Sequence, residues 1–321
     1  MTNRKDVVND PNYLPVLDNG FIGIAYEELN DETLIPAVLG NDKSITRSAR
    51  MSYGKGTKAV SDDRNLLRYL LRHRHTTPFE MAEVKFHAKL PIFVARQWVR
   101  HRTASINEYS ARYSVMTDEF YVPEPKHMLP QSTNNKQGRS GDMSGIHKQQ
   151  IAEVMDQTFN ESYRTYQMLL GDLKEEHKHD PYLKGSVEIS EICAWGDENY
   201  PGLTRELSRS VLPVAGYTEW YWKSNLHNIF RFLSLRQDKH AQYEIRAYAD
   251  AMLKLIEPYF PIACEAYEDY ILNGVELSRM EVDILKDILR HHSFSLDLDT
   301  VGKTHNLSKR EINEFREKFN L

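Results

Sequence analysis

The apolar positions of this chain recur with two different periods. Over residues 62–72, Leu66, Leu67, Leu70 and Leu71 return at intervals of three and four, the repeat of a helix with one buried stripe. Ser61 stands where an N-cap belongs, and Asp62 and Asp63 lie against the positive end of the helix dipole. Ala82, Val84, Phe86, Ala88 and Leu90 then alternate with Glu83, Lys85, His87 and Lys89, which predicts a strand with one solvated face. Pro91 can open a helix at its first position, with Phe93, Val94 and Trp98 as its core residues and Arg100 where it ends.

Downstream, Ile151, Met155, Phe159, Tyr163, Tyr166 and Leu170 mark an amphipathic helix resuming near Gln149. The segment LTRELSRSVLP reads as a helix stopped at Pro213, residues 216–222 as a strand, and Ser224 as the cap of a helix whose inner stripe is Leu226, Ile229, Phe230 and Leu233. That helix leads to Arg236 and His240, one turn apart and able to face one site. Two tail helices open with capping boxes, Ser278 with Glu281 and Ser308 with Glu311. Residues 1–38 read as a weakly structured arm with one strand at FIGIAY, and the Pro-, Gly- and Asn-rich stretch near 126–148 as a flexible insertion. Strands and helices mix without a βαβ period. The expected class is therefore α+β, a mainly antiparallel sheet flanked by helices over residues 1–274, followed by a small helical extension over 275–321.

Composition narrows the picture. With 40% hydrophobic and 27% charged residues, 321 residues suffice for one elaborated domain with a large core. A net charge of -5 and a pI near 6.2 argue against a nucleic-acid partner for the molecule as a whole, so anion binding has to come from particular arginines. Cys193 and Cys264 have neither metal-ligand spacing nor the number for a disulfide scaffold, which fits a reducing cytoplasm. The polar N-terminus and the lack of a run of about 18 apolar residues imply no membrane partner.

The densest polar cluster is Arg100-His101-Arg102, followed by Asn107, Glu108, Ser110 and Arg112. Adjacent cationic groups repel, and an anion offsets that cost; the forked donors of arginine match a phosphate. Between two arginines the His101 imidazolium is disfavoured, so a neutral hydrogen-bonding ring is expected. Ser110 has no Ser/His/Asp order around it and reads as a hydrogen-bonding group, not a nucleophile. Two rival readings use the same residues. The triplet with Tyr109 and Tyr113 resembles a nucleic-acid surface, against which the acidic pI counts; His73, His75 and His101 resemble a metal set, but HExxH and related spacings are absent, and no metal is expected.

Context raises the specificity. RHRTASINEYS, residues 100–110, fits an RHR-x7-S signature, with HTTPFE and PIFVARQW upstream and SRSVLP and NLHNIFRFLSLRQDKHAQYEIR downstream. On these blocks the chain resembles the flavin-dependent thymidylate synthases, the ThyX family. The resemblance implies reductive methylation of dUMP to dTMP with methylenetetrahydrofolate as one-carbon donor and FAD reduced by NADPH, without a cysteine nucleophile. It also implies a homotetramer whose active sites are shared between subunits. Carried over by position, Ser52, Thr77, Glu80, Arg100, His101, Arg102, Asn107 and Glu108 contact FAD, joined by Asn225 and His240, while His75 lies near folate and flavin. Gln97, Arg100, Glu108, Tyr109, Ser110, Ala111, Arg112, Arg209 and Arg236 surround dUMP, with Ser110 on its phosphate and Arg236 polarising the uracil carbonyl as a fixed cation. His227, Arg231 and Ala111 depart from the family pattern.

Overall fold

The period of two over residues 82–90 builds the spine of the molecule. A computed structural model describes residues 1–30, 33–52, 62–133, 136–171, 201–291 and 297–319. Helix α1 (Arg4–Val7) leads to strands β1 (Tyr13–Val16), β2 (Gly20–Ile24), β3 (Tyr26–Asn30), β4 (Thr33–Pro36) and β5 (Val38–Leu39). Helices α2 (Asp42–Arg50), α3 (Asp63–Arg72) and α4 (Thr77–Glu80) precede β6 (Glu83–Pro91), and α5 (Ile92–Trp98) precedes β7 (Ser105–Glu108). There follow α6 (Gly145–Leu170), α7 (Arg205–Ser208), β8 (Tyr217–Asn225), α8 (Leu226–Arg236), α9 (Tyr243–Ile256) and α10 (Pro261–Tyr267). Beyond them stand α11 (Arg279–His291), α12 (Leu298–Thr304) and α13 (Lys309–Phe319).

The main sheet has six antiparallel strands in the order β1-β2-β6-β8-β7, with β5 beside β6, and helices flank it as an α+β fold requires. Val84, Phe86, Ala88 and Leu90 point into a core shared with Trp98, Trp222, Ile229 and Phe232, all of them buried. The first 38 residues are more ordered than their composition suggests. They supply five strands, and every residue of β2 is buried because the β1–β2 hairpin is an integral part of the sheet.

The second face of β6 is solvated only at its start, where Glu83 and Lys85 are half-buried. His87 and Lys89 are buried at 8% and 0% exposure. Tyr13 bonds His87 Nδ1 at 3.1 Å, and Glu219 bonds its Nε2 at 2.6 Å; Lys89 Nζ donates to Glu119 at 2.6 Å and to the Thr2 carbonyl at 3.0 Å. Buried charges persist only when paired, and here the partners arrive from remote segments.

Several boundaries move for local reasons. Ser61 lies outside the described residues, and the N-cap of α3 is Asp62. Pro91 ends β6, so α5 begins at Ile92. Helix α6 starts at Gly145, ahead of Gln149, because the Ser144 hydroxyl accepts from the His147 amide at 3.2 Å. Residues 205–211 form one α turn and a 3-10 turn in place of a helix running to Pro213. Strand β8 continues through Ser224, whose hydroxyl donates to the Thr103 carbonyl at 2.8 Å, and Asn225 takes over as cap of α8. That helix ends at Arg236, leaving His240 in a turn with its ring 2.8 Å from Asp238, not one helical turn above Arg236. Both tail capping boxes form, with Glu281 and Glu311 accepting from the Ser278 and Ser308 amides at 2.7 and 2.8 Å.

Within the stretch near 126–148, a 3-10 turn (Pro125–His127) sets His127 on Tyr243 at 3.6 Å between ring centroids. Arg139 Nη2 donates to both oxygens of Glu244 at 2.7 and 2.6 Å while its Nη1 donates to the His127 carbonyl at 2.9 Å, and Tyr121 donates to the same carboxylate at 3.0 Å. Among the described residues no helix is long and apolar enough to cross a membrane.

Candidate active site

Helix α5 ends at Trp98, and the chain turns through residues 99–102 before β7 pairs with β8. This turn delivers the Arg100-His101-Arg102 triplet to the flank of α8. Arg100, His101, Arg102, Thr103, Trp222, Asn228, Arg231, Leu235 and Arg236 line a cleft of ≈ 380 Å³. Four guanidinium groups thus face one space. Among the described residues none of the four forms an ion pair with a carboxylate, and no carboxylate lines the cleft. Mutually repelling cations without counter-ions make an anion site.

Trp222 lines the cleft, and a buried aromatic cluster backs it. Trp98 lies 5.7 Å from Trp222 and 4.7 Å from Phe232, and His101 packs edge-on against Phe232 at 4.9 Å. Trp98, Trp220 and Trp222 are buried, as expected for core tryptophans. Arg236 Nε donates to His101 Nε2 at 3.1 Å, and its Nη2 donates to the Gln97 carbonyl at 3.1 Å. A ring nitrogen that accepts from a guanidinium carries no proton, so His101 is neutral. Burial first, and then the charges of Arg236 and Arg231, hold its pKa at about 4. The neutral ring expected from the sequence is present, although the cations facing it come from α8, not from its chain neighbours.

A pH dependence follows from that shift. Because the folded ring titrates below its ordinary value near 6.5, the unfolded chain takes up a proton first. His101 therefore destabilises the fold progressively as pH falls from 6.5 to 4 and has no further effect below that. Replacing Arg236 with Ala should move the ring's midpoint upward from about 4 towards 6.5, measurable by NMR titration of its carbon-bound protons; an unmoved midpoint would show that Arg236 contributes nothing to the shift.

The remaining candidate residues fall into two other groups. Asn107 and Glu108 sit on the exposed edge strand β7, where Glu108 accepts from the Thr218 hydroxyl at 2.6 Å. Past its end the Tyr109 hydroxyl donates to the Val115 carbonyl at 2.8 Å, and the Ser110 hydroxyl accepts from the Arg112 amide at 3.3 Å across Ala111. Arg112 meets the Glu206 carboxylate at 3.3 Å, and Arg209 Nε donates to the Glu206 carbonyl at 3.3 Å, gathering Ser110, Arg112 and Arg209 around α7. Thr103 bonds Ser224 at one end of β8 and Tyr109 bonds Glu219 nearer the other; the β7 strand between them alone spans about 10 Å. On one chain, then, the arginine cleft and the Ser110 group occupy opposite ends of an edge strand.

The third group is exposed: His75 in the turn after α3, and Thr77 and Glu80 on α4, which packs against α8. Ser52 lies in an exposed turn after α2, and His240 is exposed and paired with Asp238. Asn225 reaches the cleft indirectly, its side-chain oxygen accepting from Asn228 Nδ2 at 2.8 Å. Gln97 contributes its carbonyl, while its amide donates to Gln242. Sequence reasoning missed Thr103, Asn228 and Leu235 as lining residues and met Arg231 only as a departure. The spacing of 228, 231 and 235 on one face of α8 is the signal that would have found them. Cys264 is 2% exposed, and burial pushes its thiol far up, so it offers no thiolate; Cys193 lies outside the described residues.

Comparison with known proteins identifies the family. The family described as "Thymidylate synthase complementing protein" matches residues 33–262. A "Flavin-dependent thymidylate synthase" of Rickettsia bellii (strain RML369-C) is 43% identical over 310 residues, 97% of this chain and 94% of the relative, so the shared span runs into the segment beyond residue 275. One from Ruegeria pomeroyi (strain ATCC 700808 / DSM 15171 / DSS-3) is 43% identical over 94% of this chain and 86% of its own length. Among solved structures, a UMP/dUMP methylase, PolB from Streptomyces cacaoi, bound with 5-Br dUMP superposes with a TM-score of 0.60 at 25% identity. That match covers 80% of this chain and 98% of the other.

Proposed function

The chain belongs to the flavin-dependent thymidylate synthases, and from that premise we propose that its arginine cleft binds FAD next to dUMP and that the enzyme methylates dUMP to dTMP. The observation that carries this reading is the convergence of Arg100, Arg102, Arg231 and Arg236, without carboxylate partners among the described residues, on one cleft backed by an aromatic cluster. The donor set suits the cofactor: guanidinium forks match a diphosphate, and Trp222, its Nε1–H buried without a partner, gives the cleft an aromatic lining suited to a flat ring. When bound, FAD reduced by NADPH supplies the reducing equivalents that turn the one-carbon unit of methylenetetrahydrofolate into a methyl group.

The chain's own residues bind and polarise. Arg100 and Arg102 take the phosphates, with Arg231 as a further cation. Neutral His101 accepts from Arg236 and fixes the plane of its guanidinium; Nη1 of Arg236 makes no hydrogen bond among the described residues and is free to meet a uracil oxygen. Negative charge developing on the pyrimidine is stabilised by this fixed cation in a partly desolvated site, which removes the need for a thiolate at the ring. Ser110, Arg112 and Arg209 form the second anion site and take the phosphate of dUMP. Because that group lies at the far end of β7, the complete site requires the Ser110 group of a neighbouring copy, as in a homotetramer with shared active sites. His75, Thr77 and Glu80 border folate and flavin.

The purified chain mixed with equimolar FAD should show a bound-flavin spectrum that bleaches with NADPH under anaerobic conditions and should form dTMP once dUMP and methylenetetrahydrofolate are added. Failure to retain flavin, or a flavin that stays oxidised, contradicts the reading.

A further inference from the structure

We propose that the segment 275–321 is a positioning element that clamps the α3–α4 turn and thereby sets the productive placement of His75 and Thr77; its functional half rests on the folate and flavin reading of that turn. Helix α3 closes with the His75 amide bonded to the Leu70 carbonyl at 2.9 Å and the Arg74 amide bonded to the Leu71 carbonyl at 3.1 Å. This closure normally recruits glycine, since its penultimate residue is left-handed, yet Arg74 occupies it at φ 59. A non-glycine side chain there is strained and is retained when its surroundings hold it.

The surroundings belong to the tail. Arg74 pairs with Glu276 at 2.6 Å. Arg72 donates to Glu314 at 2.7 Å through Nε and at 3.1 Å through Nη2, and His73 Nε2 lies 3.2 Å from the same carboxylate. Arg310 covers the Tyr69 ring at 3.7 Å; that ring in turn lies 4.3 Å from His73 and 5.8 Å from His75. One turn earlier Arg68, 4% exposed, bridges Glu265 and Asp269 of the body and Glu311 of the tail. A single exposed ion pair contributes little, but this network is anchored by the buried pair Arg68–Glu311. Burial works against both tail carboxylates, yet hydrogen bonds hold Glu311 and Glu314 at about 2. On its other side the turn continues into α4, which packs on α8, the helix lining the cleft. The turn is therefore held between the tail and the helix that carries Arg231 and Arg236.

Two variants of the full-length chain test this. Glu314→Ala removes the carboxylate shared by Arg72, His73 and Arg310, whereas Arg310→Ala removes the cover over Tyr69 and its own contact with Glu314 but leaves that carboxylate on Arg72 and His73, so the second remains informative if the first releases the whole tail. Amide hydrogen exchange over residues 73–80 should accelerate about tenfold in each while β6 is unchanged. The KM for methylenetetrahydrofolate should rise about tenfold, with the KM for dUMP within about twofold, and Glu314→Asp should recover part of the loss. Unchanged exchange at 73–80 in both variants, or a fall in kcat with the folate KM untouched, overturns the proposal. A wild-type chain that makes no dTMP defeats the functional reading instead, and the exchange measurement then decides the clamp by itself.

Discussion

Arg236→Ala is expected to lower kcat for dTMP formation by about 10²–10³ and to leave flavin bound at the proposed Arg100, Arg102 and Arg231 site, an effect of the size seen when a fixed donor is removed from a developing anion. Among the described residues, Arg236 is the one guanidinium of the cleft whose direction is fixed from two sides, by His101 and by the Gln97 carbonyl. Arg236→Lys is expected to recover little, because an ammonium cannot bond His101, the carbonyl and a substrate oxygen in the same planar arrangement. The separation of the cleft from the Ser110 group adds a second arm. On the shared-site proposal, Arg236→Ala and Arg112→Ala should each be nearly inactive alone, and mixing them should restore turnover, because a mixed oligomer would take an intact cleft from one chain and an intact Ser110 group from another. Near-normal activity of Arg236→Ala removes its proposed role; absence of complementation removes the shared site and leaves the cleft reading intact.

Arg139→Leu destabilises the fold by about 3–5 kcal/mol, the cost of leaving a buried charge without its partner. Glu244 is 2% exposed, and both of its oxygens accept from Arg139 Nη2, with the Tyr121 hydroxyl as a further donor. Burial pushes its pKa up, yet the hydrogen bonds and charge of Arg139 keep it below the ordinary carboxylate value. In the native chain Glu244 thus adds stability above pH 4.5 that is lost as the pH falls through its folded pKa. In the variant only burial and Tyr121 remain, the carboxyl titrates above its ordinary value, and the loss of stability is greatest at neutral pH and smaller in acid. Thermal unfolding at pH 7.5 and pH 5 reads this directly, with a fall in Tm on the order of 10 °C at the higher pH. An equal, small fall at both would show that the arginine is peripheral. The measurement also gives the stretch near 126–148 a physical role, since Arg139 ties it to the N-terminus of α9, next to the Gln242 that bonds Gln97.

The sequence by itself determined whatever rests on local periodicity and short-range chemistry. The alternation over 82–90 made a strand, the stripes at 66–71 and 226–233 made helices, and the two serine-glutamate pairs in the tail made capping boxes, because each depends on residues within four positions of one another. The RHR-x7-S block and its companions likewise marked the family, since a motif is a local string. Only the tertiary structure decided where charges found partners. His87 and Lys89 looked solvated until Thr2, Tyr13, Glu119 and Glu219 covered them, and the cations that keep His101 neutral proved to be Arg236 and Arg231, more than a hundred residues away. The same holds for the division of the string 100–112 between two ends of a strand: its residues are contiguous in the chain, but an extended backbone carries Arg102 and Ser110 apart, whereas folding brings Arg236 to Arg102. Contact across such separations is set by how the sheet and α8 pack, information that no window of the sequence contains.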